Sequence, residues 1–238
     1  MASRFSTDKG GAGIAALFGL SLVAASMVDG AFVGGWAALW AATLVWIAGR
    51  DQSGGGRVRR VVSAVLAAGF PICVYFAGQG GVLLAAAAAP MILLSSYVIG
   101  GLKPQVVESV GVPSLHVLLV GLGLSMVVAV ESLSEGPLLI LALLLILILG
   151  STPHLIWDSP PWQPFVAGLV ASEIGAATSL LFLGPPVTAG PMLFVGLLTA
   201  LAAAAGRSWG VLTRIQPLVN AFLFASPSFY FGFKFFLT

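Results

Sequence analysis

Glu173, in the stretch FVAGLVASEIGAATSLLFLG, is a carboxylate set in the middle of a long apolar run. An ionised carboxylate at that depth costs several kcal/mol in lipid, so it must be neutral or paired. Such a group can couple a proton, bind a cation or stabilise a carbocation, and it can equally serve as a neutral hydrogen-bonding contact between helices. The small residues around it, ASEIGAA, let a neighbouring helix come close under either reading. His116 and Asn220 stand one or two turns inside apolar runs of their own. With Glu173 they form a candidate substrate-binding or coupling set lining a cavity, against the plainer alternative of interhelical hydrogen bonds.

A second set gathers where charge gathers. RDQSGGGRVRR, residues 50–60, places Asp51, Arg57, Arg59 and Arg60 around three glycines. Arginines beside a pliable glycine triplet can wrap a phosphate or an anionic lipid head group, and at minimum they fix membrane orientation. GSTPHLIWDSPPWQP, residues 150–164, adds His154 and Asp158. These two are four apart, but Pro160 and Pro161 break the helix that a metal pair at this spacing would need, so no metal site is assigned. Trp157 and Trp162 read as interface anchors for the run that follows.

The elements that hold these residues are membrane spans. Charged residues make up 8% of the 238, against about 25% in a soluble domain, while 59% are hydrophobic and the mean hydropathy is +1.08. The net charge of +2 is spread among loops, which speaks against nucleic acid as a partner. The single cysteine, Cys73, excludes intramolecular disulfides and cysteine-based zinc sites. The sequence holds no H-E-x-x-H, P-loop or C-x-x-C, and no long hydrophilic segment for coupling to ATP.

A helix needs about 20 apolar residues, with about 17 tolerated, to cross a core of about 30 Å. Nine runs qualify: 11–28, 31–48, 61–78, 81–102, 112–130, 136–151, 165–184, 191–206 and 215–237, the sixth and eighth being short. The first follows Arg4 and Lys9, but it is longer than a signal-peptide core, lacks an A-x-A site and leads straight into the next run, so it reads as a span. Continuous apolarity excludes a β-barrel. Prolines 71, 90, 217 and 227 fall inside spans and are expected to kink them or free backbone carbonyls.

With nine spans and a cytoplasmic N-terminus, nine of the ten basic residues fall inside and only Lys234 outside. The outer turns carry Asp29, Gln79, Glu131 and Glu135. The expectation is one all-α, polytopic domain over residues 1–238, C-terminus outside, in the cell membrane. APMILL at Ala89 and GPMLFV at Gly190 stand about 101 residues apart, and the third and seventh runs begin about 104 apart. That spacing suggests a parallel repeat of four helices.

Nine helices with the two longest inner loops after the second and sixth resemble the layout of the UbiA superfamily of intramembrane prenyltransferases. Family members carry aspartate-rich motifs, N-D-x-x-D-x-x-x-D and D-x-x-x-D, on those loops to bind the magnesium diphosphate of an isoprenoid donor. Here the loops hold one aspartate each, Asp51 in RDQSGGG and Asp158 in HLIWDSPP. The resemblance implies an enzyme whose Asp51, Arg57, Arg59, Arg60, His154 and Asp158 hold an anionic head group while the bundle takes an isoprenoid tail, with magnesium as cofactor under that reading alone. The composition and the buried acid favour a different role, a small transporter or permease, without a cofactor, for a proton, a small cation or a hydrophobic solute. A third role is a non-catalytic subunit of a larger complex or oligomer, for which featureless spans such as LLILALLLILILG are suited. Under all three the lipid bilayer is the constant partner.

Overall fold

The structure, a computed structural model, describes residues 9–49, 57–99, 110–156, 162–184, 187–208 and 217–237; Asp51 and Asp158 lie outside them. The described residues form eight helices and no strand: α1 (Lys9–Ser26), α2 (Gly30–Ala48), α3 (Arg57–Ile99), α4 (Val112–Glu131), α5 (Gly136–Ile156), α6 (Trp162–Ser179), α7 (Ala189–Ser208) and α8 (Pro217–Leu237). Apolar runs of this length fold as helices because a helix satisfies each backbone N–H and C=O within the segment. Their ends fall at residues that stop or start a helix. Asp29 is extended between α1 and α2 (φ −173°, ψ 156°), Pro113 stands in the first turn of α4, and Pro217 opens α8, positions where the missing N–H of proline has no helical partner to lose. The two short runs are longer as helices: α5 has 21 residues and α7 has 20, enough for about 30 Å at about 1.5 Å per residue.

The third and fourth runs form one element, α3, whose 43 residues would extend about 65 Å if straight. They do not extend. Gly78 has φ 58° and ψ −141°, a left-handed backbone that side chains other than hydrogen resist. The arms on either side, residues 57–77 and 79–99, fold back on each other. Arg59 near one end lies with its guanidinium carbon 5.6 Å from the ring centroid of Tyr97 near the other. The turn is so tight that a Cβ on Gly81 would meet the Cys73 carbonyl oxygen.

Five of the helices, Gly30–Ala48, Arg57–Ile99, Val112–Glu131, Gly136–His154 and Ala189–Arg207, are long and apolar enough to cross a membrane. They fit an integral, multi-pass membrane protein. In the packing, α4 is the central helix, 67% buried over its apolar window, with α2, α3, α5 and α8 against it. The remaining helices form a second group in which α6 packs on α5 and α7, and α7 packs on α8. Phe18 ties α1 to the bundle through ring contacts with Trp36, Trp40 and Phe222 at 4.9–5.0 Å. Buried hydroxyls bond back to their own helices, as Ser125 to Gly121 O, Ser179 to Gly175 O and Thr199 to Val195 O, which leaves them satisfied without water.

α4 and α8 meet in register. Ser226 Oγ donates to Gly123 O at 2.7 Å, and a Cβ on Gly123 would lie 2.7 Å from Leu223 O. Antiparallel contacts elsewhere, Gly150 against Gly168 and Ser172, Gly175 against Ile146 and Gly206 against Asn220, alternate the chain between two ends. One end collects Arg59, Arg60, His116, His154 and Arg207; the other collects Asp29, Gln79, Glu131, Glu135 and Lys234. They are called the basic and acidic ends below.

Candidate functional site

Glu173 faces α7. Its two carboxylate oxygens lie 3.5 and 3.7 Å from where a Cβ on Gly196 would stand. Glu173 Oε1 is buried without a hydrogen-bond partner among the described residues. The absent side chain at Gly196 is what admits the carboxylate between the two helices. His116 lies elsewhere, buried in the first turns of α4, and Asn220 is buried in the first turn of α8, its carbonyl oxygen close to Gly206. The three residues thus stand on three helices, Glu173 on α6, His116 on α4 and Asn220 on α8.

The structure brings His116 to the arginines. Arg59, Arg60 and His116 line one cleft at the basic end with Gly49, Ser63 and Pro113. Arg60 also lies with its guanidinium carbon 5.5 Å from the Trp46 ring centroid. Each arginine is thus held over an aromatic face, an arrangement that suits a cation at a membrane interface. The cleft has a volume of about 10 Å³, room for about one water molecule. Arg57 is exposed at the start of α3. His154 does not join this group: its imidazole packs toward Gly168 and is electrostatically coupled to Arg207, whose Nη1 donates to Ser151 Oγ at 2.9 Å. Arg207 belongs to none of the sets read from the sequence.

A polar site lies at the acidic end. A cavity of about 390 Å³ is bounded by Tyr75 and Gly78 of α3, Gln79, Glu131 of α4, and Tyr230 and Lys234 of α8. Gln79 Nε2 donates to the Tyr230 hydroxyl, a bond that joins the α3 turn to α8. Lys234 Nζ lies 5.9 Å from the Tyr230 ring centroid. Glu131 Oε2 is buried with no hydrogen-bond partner among the described residues, and Asp29 adds negative potential beside it. Gln79 and Lys234 also line a second, shallower groove of about 780 Å³, together with Leu198, Pro227 and Phe231. Phe231 and Phe235 at its rim are 54% and 81% exposed, so the groove opens sideways toward the surroundings of the bundle. None of these three cavities is lined by Glu173.

Sequence reading passed over this site because its members lie at the ends of four runs, as turn residues. The usable signal was Lys234, the one basic residue on the side where acids collect. G-x-S-x-G, expected to be absent, is in fact spelled at Gly206–Gly210, GRSWG. That motif needs a strand-to-helix turn to expose its serine, whereas Ser208 is the last residue of α7. Among the described residues no three His, Cys, Asp or Glu side chains converge as a metal site.

The fold fits a class, the multi-pass helical membrane proteins. Comparison with models of protein families, with curated proteins and with solved structures finds no match.

Proposed function

We propose that the chain is a permease for a hydrophobic or amphiphilic solute, caught in an arrangement open at the acidic end and closed at the basic end. The observation that carries this reading is the asymmetry of the cavities among the described residues, about 390 Å³ in the site at one end and about 10 Å³ in the cleft at the other. A carrier that alternates access holds such a difference in each of its states. The lateral groove beside the larger cavity favours cargo taken from the bilayer over a proton or small ion. Glu173, wedged against α7, then acts as a contact between helices.

In this reading the two arms of α3 are separate crossings. The chain crosses the cell membrane nine times with the N-terminus and the basic end cytoplasmic. The four helical segments from α2 to α4 and the four from α5 to α8 are parallel repeats whose axis runs between α4 and α8. Two features support the repeat. Gly123 meets Ser226 in register, and Pro113 and Pro217, like His116 and Asn220, are each 104 residues apart. Pro227, within α8 and lining the groove, supplies a point at which that helix can bend.

The test is transfer of a phosphatidylcholine labelled with a fluorophore on one acyl chain between leaflets of proteoliposomes, read by quenching from outside. A permease gives faster loss of inner-leaflet fluorescence than protein-free vesicles. Rates equal to those of vesicles holding an unrelated helical protein overturn the reading. The alternative of a UbiA-type enzyme is favoured by one observation, the convergence of Arg59, Arg60 and His116. Their cleft, at about 10 Å³, is far too small for a diphosphate as it stands.

A further inference from the structure

We propose that the acidic-end site takes the head group of an ammonium-bearing phospholipid, phosphoethanolamine or phosphocholine in type, with one acyl chain in the lateral groove; this rests on the permease reading above. The two cavities share Gln79 and Lys234, so a single molecule that fills both must be polar at one end, apolar at the other and in contact with these two residues where it changes character. Their volumes, about 390 and 780 Å³, lie within the range of about 300–1,000 Å³ typical of small-molecule sites.

The order of charges along the site fixes the order of groups along the ligand. Glu131 lines the polar cavity and is not among the groove residues, and its Oε2 is buried without a partner among the described residues. Asp29 adds to the negative potential there, and the rings of Tyr75 and Tyr230 border the same space. A carboxylate beside aromatic faces is the chemistry that recognises an ammonium, by charge-assisted hydrogen bonding or by cation–π attraction. Lys234, at the boundary, supplies positive charge for the phosphate, and the Gln79 amide supplies hydrogen bonding. A phospholipid head group presents these charges in the same sequence, ammonium outermost, phosphate next, acyl chains last. An anionic lipid with a glycerol in place of the ammonium would engage Lys234 with its phosphate and set an uncharged group against Glu131, so that the carboxylate shares its lining cation and gains no other.

Binding of short-chain phosphatidylethanolamine, phosphatidylcholine and phosphatidylglycerol to the full chain in detergent, followed by thermal shift and native mass spectrometry, tests this. The ethanolamine and choline lipids are expected to bind about tenfold tighter than the glycerol lipid, the size of one charge-assisted hydrogen bond for the ethanolamine and of ion pairing with cation–π contact for the choline, which has no N–H to donate. Glu131→Gln is expected to abolish that preference, whereas Lys234→Gln weakens all three. Should Glu131→Gln fail to fold, competition on the wild type by dodecyltrimethylammonium against an uncharged dodecyl glycoside gives the same comparison, with the cation expected to displace the lipid. Equal binding of all three lipids, reduced by Lys234→Gln, overturns the head-group assignment and leaves the permease reading standing. Binding of none of them, with both variants inert, overturns both.

Discussion

At Gly123 the backbone of α8 comes closer than a side chain permits: a Cβ there would lie 2.7 Å from Leu223 O and 2.9 Å from Leu223 Cα. Backbone cannot yield as a flexible side chain can, so Gly123→Val must push α4 and α8 apart and break the Ser226 bond to Gly123 O. Overpacking of this kind costs about 1–3 kcal/mol, and thermal unfolding in detergent is expected to register it. Glu173 makes the contrasting case. Its carboxylate touches α7 at Gly196 and lines none of the three cavities described, so Glu173→Gln should leave lipid transfer in proteoliposomes unchanged; loss of transfer would restore it as a coupling residue. The sequence marked Glu173 by depth alone. Depth says that a polar group must be accommodated, and Gly196, on a different helix, decides how.

The positions of the helices along the chain were legible because lipid leaves the backbone no alternative to the helix. The expected run 31–48 and the observed Gly30–Ala48 nearly coincide, as do 112–130 and Val112–Glu131. Which faces meet was not legible. In water, burial selects an apolar stripe, but a lipid-facing leucine and a core leucine are chemically alike, so the runs carry no pattern that assigns neighbours. The α3 turn shows the limit well. The sequence separated two runs near residue 78, while the positive φ of Gly78 and the near contact of Gly81 with Cys73 show how few residues the reversal takes. Gly78→Ala has open space for its methyl group, so its penalty is conformational, about 1–2 kcal/mol. It should lower the unfolding temperature and, because Gln79 follows directly, weaken the Gln79–Tyr230 bond and lipid binding with it.

Over the whole molecule, the separation of Arg59, Arg60 and Arg207 from Asp29, Glu131 and Glu135 is the charge arrangement that the proposed nine-crossing, positive-inside topology requires. On a Cys73→Ser background, cysteines introduced at residues 54 and 134 should react on opposite faces of intact cells with an impermeant thiol reagent, residue 134 from outside; labelling from one face would break the nine-crossing reading. The sequence distributed charge between the two faces correctly enough to anticipate this grouping. It could not reveal the acidic-end site, because Gln79, Glu131 and Tyr230 approach one another only after the α3 turn and the ends of α4 and α8 have packed.

Cross-linking with a phospholipid that carries a photoreactive group on one acyl chain, followed by peptide mapping, tests the site most directly. If the acidic end takes lipid, adducts should concentrate on residues 225–237 and 196–200 around the groove, and unlabelled phosphatidylethanolamine should compete them away. Adducts spread over the exposed apolar surface, at residues such as Leu17, Leu20, Phe32 and Leu83, with no competition, would mean that the groove is ordinary lipid-facing surface and the cavity behind it serves something else.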